Sequence, residues 1–323
     1  HMNLINRFKR VFYIFQSSLR HPLNKNFKIL SFFYFLFKFI KLHFHRNAAK
    51  EDLIVPWINS SKFILFRTDL PLLWNVYWGV AEYPDMIFLA HCLKKNNLFI
   101  DCGANVGTYS IIASKVAGAN TIAFEPSPKT VIKLKQNIKI NNIEEKIDIR
   151  AKILSDKKDT LYFSNYGGDK SVLNKVEQNQ SSSEQNIMLP SNTLDDEVDI
   201  NNDFILKIDV EGYEAKLIRG AKKILENEKL VALIIETNQM IEDYEGESRE
   251  DLHNLITSYG LKPIDYDPFK RSISIKTKYI FDATSNKKNV SPNTIYIKNI
   301  DKIKNLVKNA DKIKIHTCSF EGL

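Results

Sequence analysis

The sequence predicts an α/β fold: a mostly parallel sheet with helices on both faces. Two observations carry this. From residue 98 onward, short apolar runs alternate with stretches of helical spacing about 10–15 residues long. Two of the runs, FILKIDV (204–210) and LVALIIE (230–236), are apolar almost throughout, as strands covered on both faces are.

The 323 residues divide unevenly in charge. Residues 1–50 hold ten Lys/Arg, twelve Phe/Tyr and no Asp or Glu. The other 273 residues hold 36 Lys/Arg against 38 acids, so the net charge of +8 belongs to the N-terminal segment. That weakens a nucleic-acid reading of the body of the chain. Within ILSFFYFLFKFIKLHFHR (29–46), Ser31, Tyr34, Lys38, Lys41 and His45 recur at 3, 4, 3 and 4 residues, one stripe of a helix. The run is too short and too charged for a span of ~20 apolar residues. Two readings stay open: a helix in a membrane interface with lysines toward anionic headgroups, or a helix capping the core.

Residues 51–97 form a mixed lead-in. WINSSKFILF predicts a hairpin around Asn59–Ser61, and DMIFLAHCL (85–93) has helical spacing. LFIDCG (98–103), TIAFEP (121–126), IDIRAKIL (147–154) and TLYFS (160–164) read as strands, with helices over 108–117 and 128–141. NKVEQNQSSSEQN (174–186) is polar and serine-rich, an exposed loop. Helices follow over 213–227 and 248–259, and ISIKTKYIF with NTIYIK makes a terminal pair of strands. The lysine-rich tail after residue 300 reads as a solvated helix. The expected domains are therefore 1–50, 51–97, a core over 98–300 and a tail over 301–323. Cys92, Cys102 and Cys318 are scattered, which predicts neither zinc nor a disulfide framework and fits a reducing compartment. The start has no apolar core followed by a small-residue cleavage site, so a cytoplasmic location is expected.

The chemistry is concentrated at strand ends. In an open α/β sheet ligands bind beyond the carboxyl ends of the strands. The turn DCGANVG (101–107) follows the first core strand there. A pyrophosphate would want a glycine turn without an acid beside it. Asp101 repels a phosphate and attracts an ammonium, such as the amino-acid end of S-adenosylmethionine. Glu125 ends the second strand, where an acid can accept both ribose hydroxyls of an adenosine. Asp209 and Glu211 stand at the end of one buried strand and Glu236 at the end of its neighbour, so three carboxylates are expected on one rim.

These segments (DCGANVGTYS, FEPSP, NIKIN, NTLDDEV, KIDVEGYEAKLIRGA and the IIE after them) resemble the FkbM-type family of S-adenosylmethionine-dependent methyltransferases. The resemblance covers about 97–240, and HPLNK and VYWGVAEYPDMIFLAHCL extend it upstream. It implies a Rossmann-like class I methyltransferase fold with a mostly parallel seven-stranded sheet. It also implies O-methylation of a hydroxyl, commonly on sugars of polysaccharides, glycolipids or natural products. Carried over by position, Asp101, Gly103, Asn105 and Gly107 line the methionine half of the cofactor. Thr108, Tyr109 and Ser110 open the following helix, and Glu125 with Pro126 lies at the ribose. Ser155 or Asp156 lies near the adenine, and Asn141 is a further neighbour. Cys102 stands where the motif more often has valine and is read as packing.

No histidine falls in the motifs between residues 97 and 240, so the expected base is a carboxylate: Asp209 first, then Glu236 or Glu211. A cluster of acids either raises one member's pKa or binds a hard cation such as Mg²⁺ through Asp209 and Glu236. An RNA ribose 2′-O-methyltransferase using Lys207, Asp209 and Glu236 is the alternative enzyme, and an inactive membrane-associated scaffold the alternative non-enzyme. The expected acceptor is a sugar or glycoconjugate rather than nucleic acid, with peripheral membrane contact through residues 1–50.

Overall fold

The computed structural model describes residues 52–67, 72–165, 176–177, 186–237, 248–277 and 293–316, together with Gln16 and Ile40, both helical. The helix expected over 29–46, apart from Ile40, lies outside the described residues, as do Cys318 and most of the loop expected over 174–186.

The chain opens with the predicted hairpin, β1 (Leu53–Pro56) against β2 (Lys62–Leu65), and Asn59 adopts φ 51° at its turn. Helices α1 (Leu73–Trp78) and α2 (Tyr83–Cys92) follow. Strand β3 (Leu98–Cys102) leads into α3 (Thr108–Ile111), which continues as a π turn over Ile112–Val116. After β4 (Asn120–Phe124), α4 (Pro128–Asn141) starts cleanly because Ser127 caps Thr130 N–H and proline occupies the first turn. It stops at Asn142, which takes the left-handed conformation.

The predicted strand over 147–154 divides into β5 (Ile147–Arg150) and β6 (Ile153–Leu154), and the two halves join different sheets. The chain turns out because Ile153 packs with Phe163, Val176 and Tyr213 in a small cluster of its own. There β6 lies beside β9 (Asn186–Asn192), β7 (Asp159–Ser164) and β8 (Val176–Glu177) in a second, four-stranded sheet. TLYFS therefore belongs to this small sheet and not to the main one.

After α5 (Leu194–Glu197) comes β10 (Phe204–Ile208), buried at every position. The helix expected over 213–227 is two helices, α6 (Glu214–Arg219) and α7 (Lys222–Glu226), broken at Gly220. Only glycine fits at the break: a Cβ on Gly220 would lie 2.0 Å from the Ser155 carbonyl oxygen. Then follow β11 (Leu230–Glu236), α8 (Arg249–Ser258), β12 (Lys262–Asp267), β13 (Ser272–Ile275), β14 (Asn293–Ile297) and α9 (Ile300–Lys308).

The main sheet has eight strands, ordered β13-β12-β14-β11-β10-β3-β4-β5. Strands β5, β4, β3, β10 and β11 are parallel, and β14 runs antiparallel between β11 and β12. This is a Rossmann-like α/β sheet with one more strand than the seven expected. ISIK and NTIYIK do not pair: β12 lies between them, and β13 adds an outer edge strand. One hydrophobic cluster joins α2, α3, α4 and the upstream hairpin on one face, and a second joins α6, α7 and α8 on the other. The tail helix α9 is solvated on one side only, because Ile303 and Val307 are buried in the first cluster.

Gly220→Ala should destabilise the protein by about 1–3 kcal/mol or more, because backbone must shift to admit the methyl group. Gly260→Ala is the control: its φ is +80° with open space around it, so it should cost only the roughly 1–2 kcal/mol of a left-handed residue. Urea unfolding of both variants checks the order.

Candidate active site

The site forms where β3 and β10 end side by side. Lys207 lies opposite Asp101 and Ile208 opposite Cys102 in the parallel register. The next amide along, Asp209 N–H, donates to the Cys102 carbonyl at 3.0 Å. Gly103 then turns with φ +81°, and a Cβ there would lie 1.8 Å from the Asp209 carbonyl oxygen. Only glycine lets the two strand ends approach this closely. The Gly103 and Ala104 N–H groups both donate to the Phe124 carbonyl at the end of β4. Asn105 (φ 50°) and Glu211 (φ 55°) hold left-handed conformations at the same rim, which costs energy and is typical of functional turns.

Two pockets meet at this turn. The first is lined by Glu125, Ile153, Leu154, Phe163, Glu211 and Tyr213, so the small sheet forms its far wall. The second is lined by Trp74, Glu82, Asp101, Thr108, Tyr109 and Lys207, so its outer wall comes from the segment upstream of the core. Gly103, Asn105 and Asp209 line both.

Buried charge dominates the second pocket. Lys207 is 2% exposed, with its ammonium 2.9 Å from Asp209 Oδ2 and 4.6 Å above the Tyr109 ring. Burial alone lowers its pKa, but Asp209, Asp101 and Glu82 together hold it well above the ordinary lysine value. Asp101 is buried; Ser110 donates to its Oδ2 at 2.6 Å, and its Oδ1 has no hydrogen-bond partner. Burial raises the pKa of Asp101 against the lowering pull of Lys207. Burial likewise raises Glu82, whose Oε2 accepts from Tyr109 Oη at 2.5 Å and from Asn293 Nδ2 at 2.9 Å. In the first pocket, Glu125 accepts from Asn105 N–H and Ser127 N–H, each at 2.9 Å and each on a different oxygen. Burial pushes its pKa up to about 7. Burial and the neighbouring Asp209 push Glu211 up to about 8. Glu236 is raised well above the usual carboxylate range by burial and by Asp209, to which it hydrogen-bonds.

The structure thus brings together Asp101, Gly103, Asn105, Thr108, Tyr109, Glu125, Pro126, Lys207, Asp209 and Glu211 at the pocket walls. Ser110 and Gly107 stand behind them: Ser110 orients Asp101, and Gly107 (φ +91°) packs on Leu134. Ser155 and Asp156 are not among the lining residues; they bond to each other at 3.0 Å, and Ile153 and Leu154 face the pocket instead. Asn141 serves the upstream hairpin, accepting from Lys62 N–H and donating to the Lys62 carbonyl. Cys102 is fully buried in the core, and burial pushes its thiol pKa far up, in line with packing. Sequence reasoning missed Glu82 and Glu214. Glu214 accepts from Val210 N–H and Gly212 N–H, which fixes the loop carrying Glu211. The available signals were an acid just before the Tyr-Pro start of α2, and a glutamate two residues after VEG.

Residues 101–263, half of the chain, match the Methyltransferase FkbM domain. The chain belongs to the FkbM methyltransferase family. It carries that family's methyltransferase domain over these residues. This FkbM protein is 26% identical over 102 residues to the tRNA (guanine(37)-N(1))-methyltransferase of Dictyostelium discoideum. That stretch is 32% of this chain and 21% of the relative, so the chain spans about a fifth of the curated relative's length. Among solved structures, it is similar to an rRNA methylase from Streptococcus thermophilus, with 12% identity, a TM-score of 0.35 and coverage of 67% of this chain and 94% of that one. It is also similar to M. jannaschii TYW2 in complex with AdoMet, with 14% identity, a TM-score of 0.35 and coverage of 76% and 84%. Likeness at this level specifies no acceptor.

The residues of this FkbM methyltransferase fit its cofactor. Asp101 lines the second pocket, and its unpartnered Oδ1 leaves an acceptor for an ammonium group. Glu125 keeps one lone pair on each oxygen beyond those used by the backbone amides, enough for two ribose hydroxyls. A hard cation fits less well. Asp209 Oδ2 already holds the Lys207 ammonium, and Asp209 also bonds Glu236. Among the described residues no group of three or more His, Cys, Asp or Glu is arranged to hold a metal ion.

Glu125, Glu211 and Glu214 hold their protons more tightly folded than unfolded, with pKa values of about 7, 8 and 7. Their contribution to stability is therefore full below about 4.5 and is lost as pH rises through about 7–8. Ribose hydroxyls donate to ionised Glu125, so S-adenosylhomocysteine should bind more tightly as pH rises through about 7. In Glu125→Gln that step should vanish and affinity should fall roughly 10-fold or more. Calorimetric titration across this range checks both.

Proposed function

We propose that the enzyme transfers the methyl group to a hydroxyl oxygen of a sugar in a polysaccharide, glycolipid or glycosylated metabolite, with Asp209 taking the proton. The observation that carries the assignment of Asp209 is its position: it is the one carboxylate lining both pockets. A ligand with its adenosine in the first pocket and its amino-acid end in the second has its reactive centre beside Asp209. S-adenosylmethionine supplies an electrophilic methyl group on a sulfonium when bound. The chain's residues then have three tasks. Asp101 and Glu125 orient the donor, and Gly103 keeps the turn out of its path. Lys207 holds Asp209 in place from below at 2.9 Å. Burial and the neighbouring Asp209 raise the pKa of Glu236, and Asp209 is the acceptor for the hydroxyl proton. Positioning supplies much of the rate.

A second reading has one observation in its favour, the tRNA-methylating relative over 102 residues. In an RNA ribose methyltransferase, Lys207, Asp209 and Glu236 would surround the 2′-hydroxyl. The nearly neutral charge of residues 51–323 supports the sugar reading instead. A membrane-linked glycoconjugate agrees with the aromatic, basic composition of residues 1–50. Among the described residues no helix is long and apolar enough to cross a membrane.

Asp209→Asn should bind S-adenosylhomocysteine within a few-fold of the wild type and lose roughly 10²–10⁴-fold in transfer. Transfer is read as labelled methyl groups entering the carbohydrate fraction of a cell extract. Retained turnover would remove Asp209 as the base, and label in the RNA fraction instead would move the acceptor to RNA.

A further inference from the structure

The β12–β13 hairpin and α9 form a basic surface that the methyl-transfer site does not use. A groove between them is lined by Lys270, Arg271, Ser272, Ile273, Lys304 and Lys308. Lys304 and Lys308 stand four residues apart on one exposed face of α9. Arg271 fixes the hairpin to the end of that helix by donating to the carbonyls of Lys308, Ala310 and Asp311. The nearby acids are few and exposed. Asp267 lies 3.8 Å from Lys270, and Asp301 lies 4.0 Å from Lys304. Among the described residues Arg271 and Lys308 have no carboxylate partner. At the tip of the same hairpin Phe269 is 63% exposed, the most exposed large hydrophobic residue described.

Topology places this surface on the catalytic rim. Ile264 of β12 and Ile234 of β11 both face Ile295 of β14, so the strands are level there. Two residues further on, Tyr266 is level with Glu236, and the tip at 268–271 projects beyond the rim that carries the acids. Two strand spacings separate β12 from β11, about 10 Å. The Phe269 ring also rests 5.5 Å from Tyr83, the residue after Glu82 in the site wall.

We propose that this hairpin and α9 form a docking surface for an anionic phospholipid bilayer, with Phe269 entering the interface and Lys270, Arg271, Lys304 and Lys308 facing the headgroups. An aromatic tip ringed by cations suits the boundary between headgroups and acyl chains. Docking there turns the mouth of the site toward the membrane. The surface extends the membrane-side reading of residues 1–50 and can fail independently of it.

The test is sedimentation of the full-length protein with phosphatidylcholine vesicles, with and without phosphatidylglycerol. Binding should require the anionic lipid and weaken with salt. Neutralising Lys270, Lys304 and Lys308 to glutamine should weaken it roughly fivefold per cation. Phe269→Ser should weaken it further, and S-adenosylhomocysteine affinity should stay unchanged in every variant. Equal vesicle binding by wild type and the triple variant overturns the proposal. If Lys38→Glu/Lys41→Glu then abolishes binding, residues 1–50 are the membrane contact and this surface is not. Absence of vesicle binding by the wild type also overturns it, and so does binding of an RNA oligonucleotide, but not vesicles, through the same lysines.

Discussion

The site depends on one close approach, the contact of Gly103 with the carbonyl of Asp209. A methyl group there would sit 1.8 Å from that oxygen, so the ends of β3 and β10 can meet only at a residue without a side chain. The Asp209 N–H to Cys102 carbonyl bond continues the ladder one step past β10 and locks the meeting. Everything chemical follows from it. Asp101, the last acid of β3, comes beside Lys207. Asp209 emerges between two pockets, and the turn through Asn105 brings its amide to Glu125.

That approach creates an electrostatic problem, because Asp101, Glu82, Asp209, Glu211 and Glu236 crowd a small buried volume. Five unscreened negative charges would not persist in low dielectric. The structure answers in two ways. Lys207 supplies one fixed cation between Asp101 and Asp209. Burial raises the pKa of Asp101, Glu82, Glu211 and Glu236, so protons neutralise part of the cluster. A donor with an ammonium and a sulfonium brings two positive groups into this volume. The resting cluster is therefore already biased toward such a ligand.

The core of the fold was legible because its signals are local. Near-continuous apolar runs marked β10 and β11. The DCGANVG turn, Glu125 and the acids at 209, 211 and 236 followed from strand ends, since ligands bind there in open sheets. What could not be read depends on tertiary placement. Strand β12, KPIDYD, carries a proline and two aspartates and shows no apolar run. It is a strand because β14 and β13 pair with it on either side. The need for glycine at position 220 depends on the Ser155 carbonyl, 65 residues upstream. The departure of β6 to a second sheet depends on Phe163 and Tyr213.

Glu82 illustrates the same limit in the site itself. It lies outside the matched domain, which begins at residue 101. Its neighbours in the sequence give it no motif, and only the fold sets it against Tyr109 and Asn293. Tyr109 in turn lies under Lys207, so a chain of contacts runs from the lead-in segment through Tyr109 to the ion pair with Asp209. The family domain therefore supplies the donor-binding turn and the acids at the rim, and the segment before it closes the second pocket. Trp74 and Glu82 line this pocket together with Asp209.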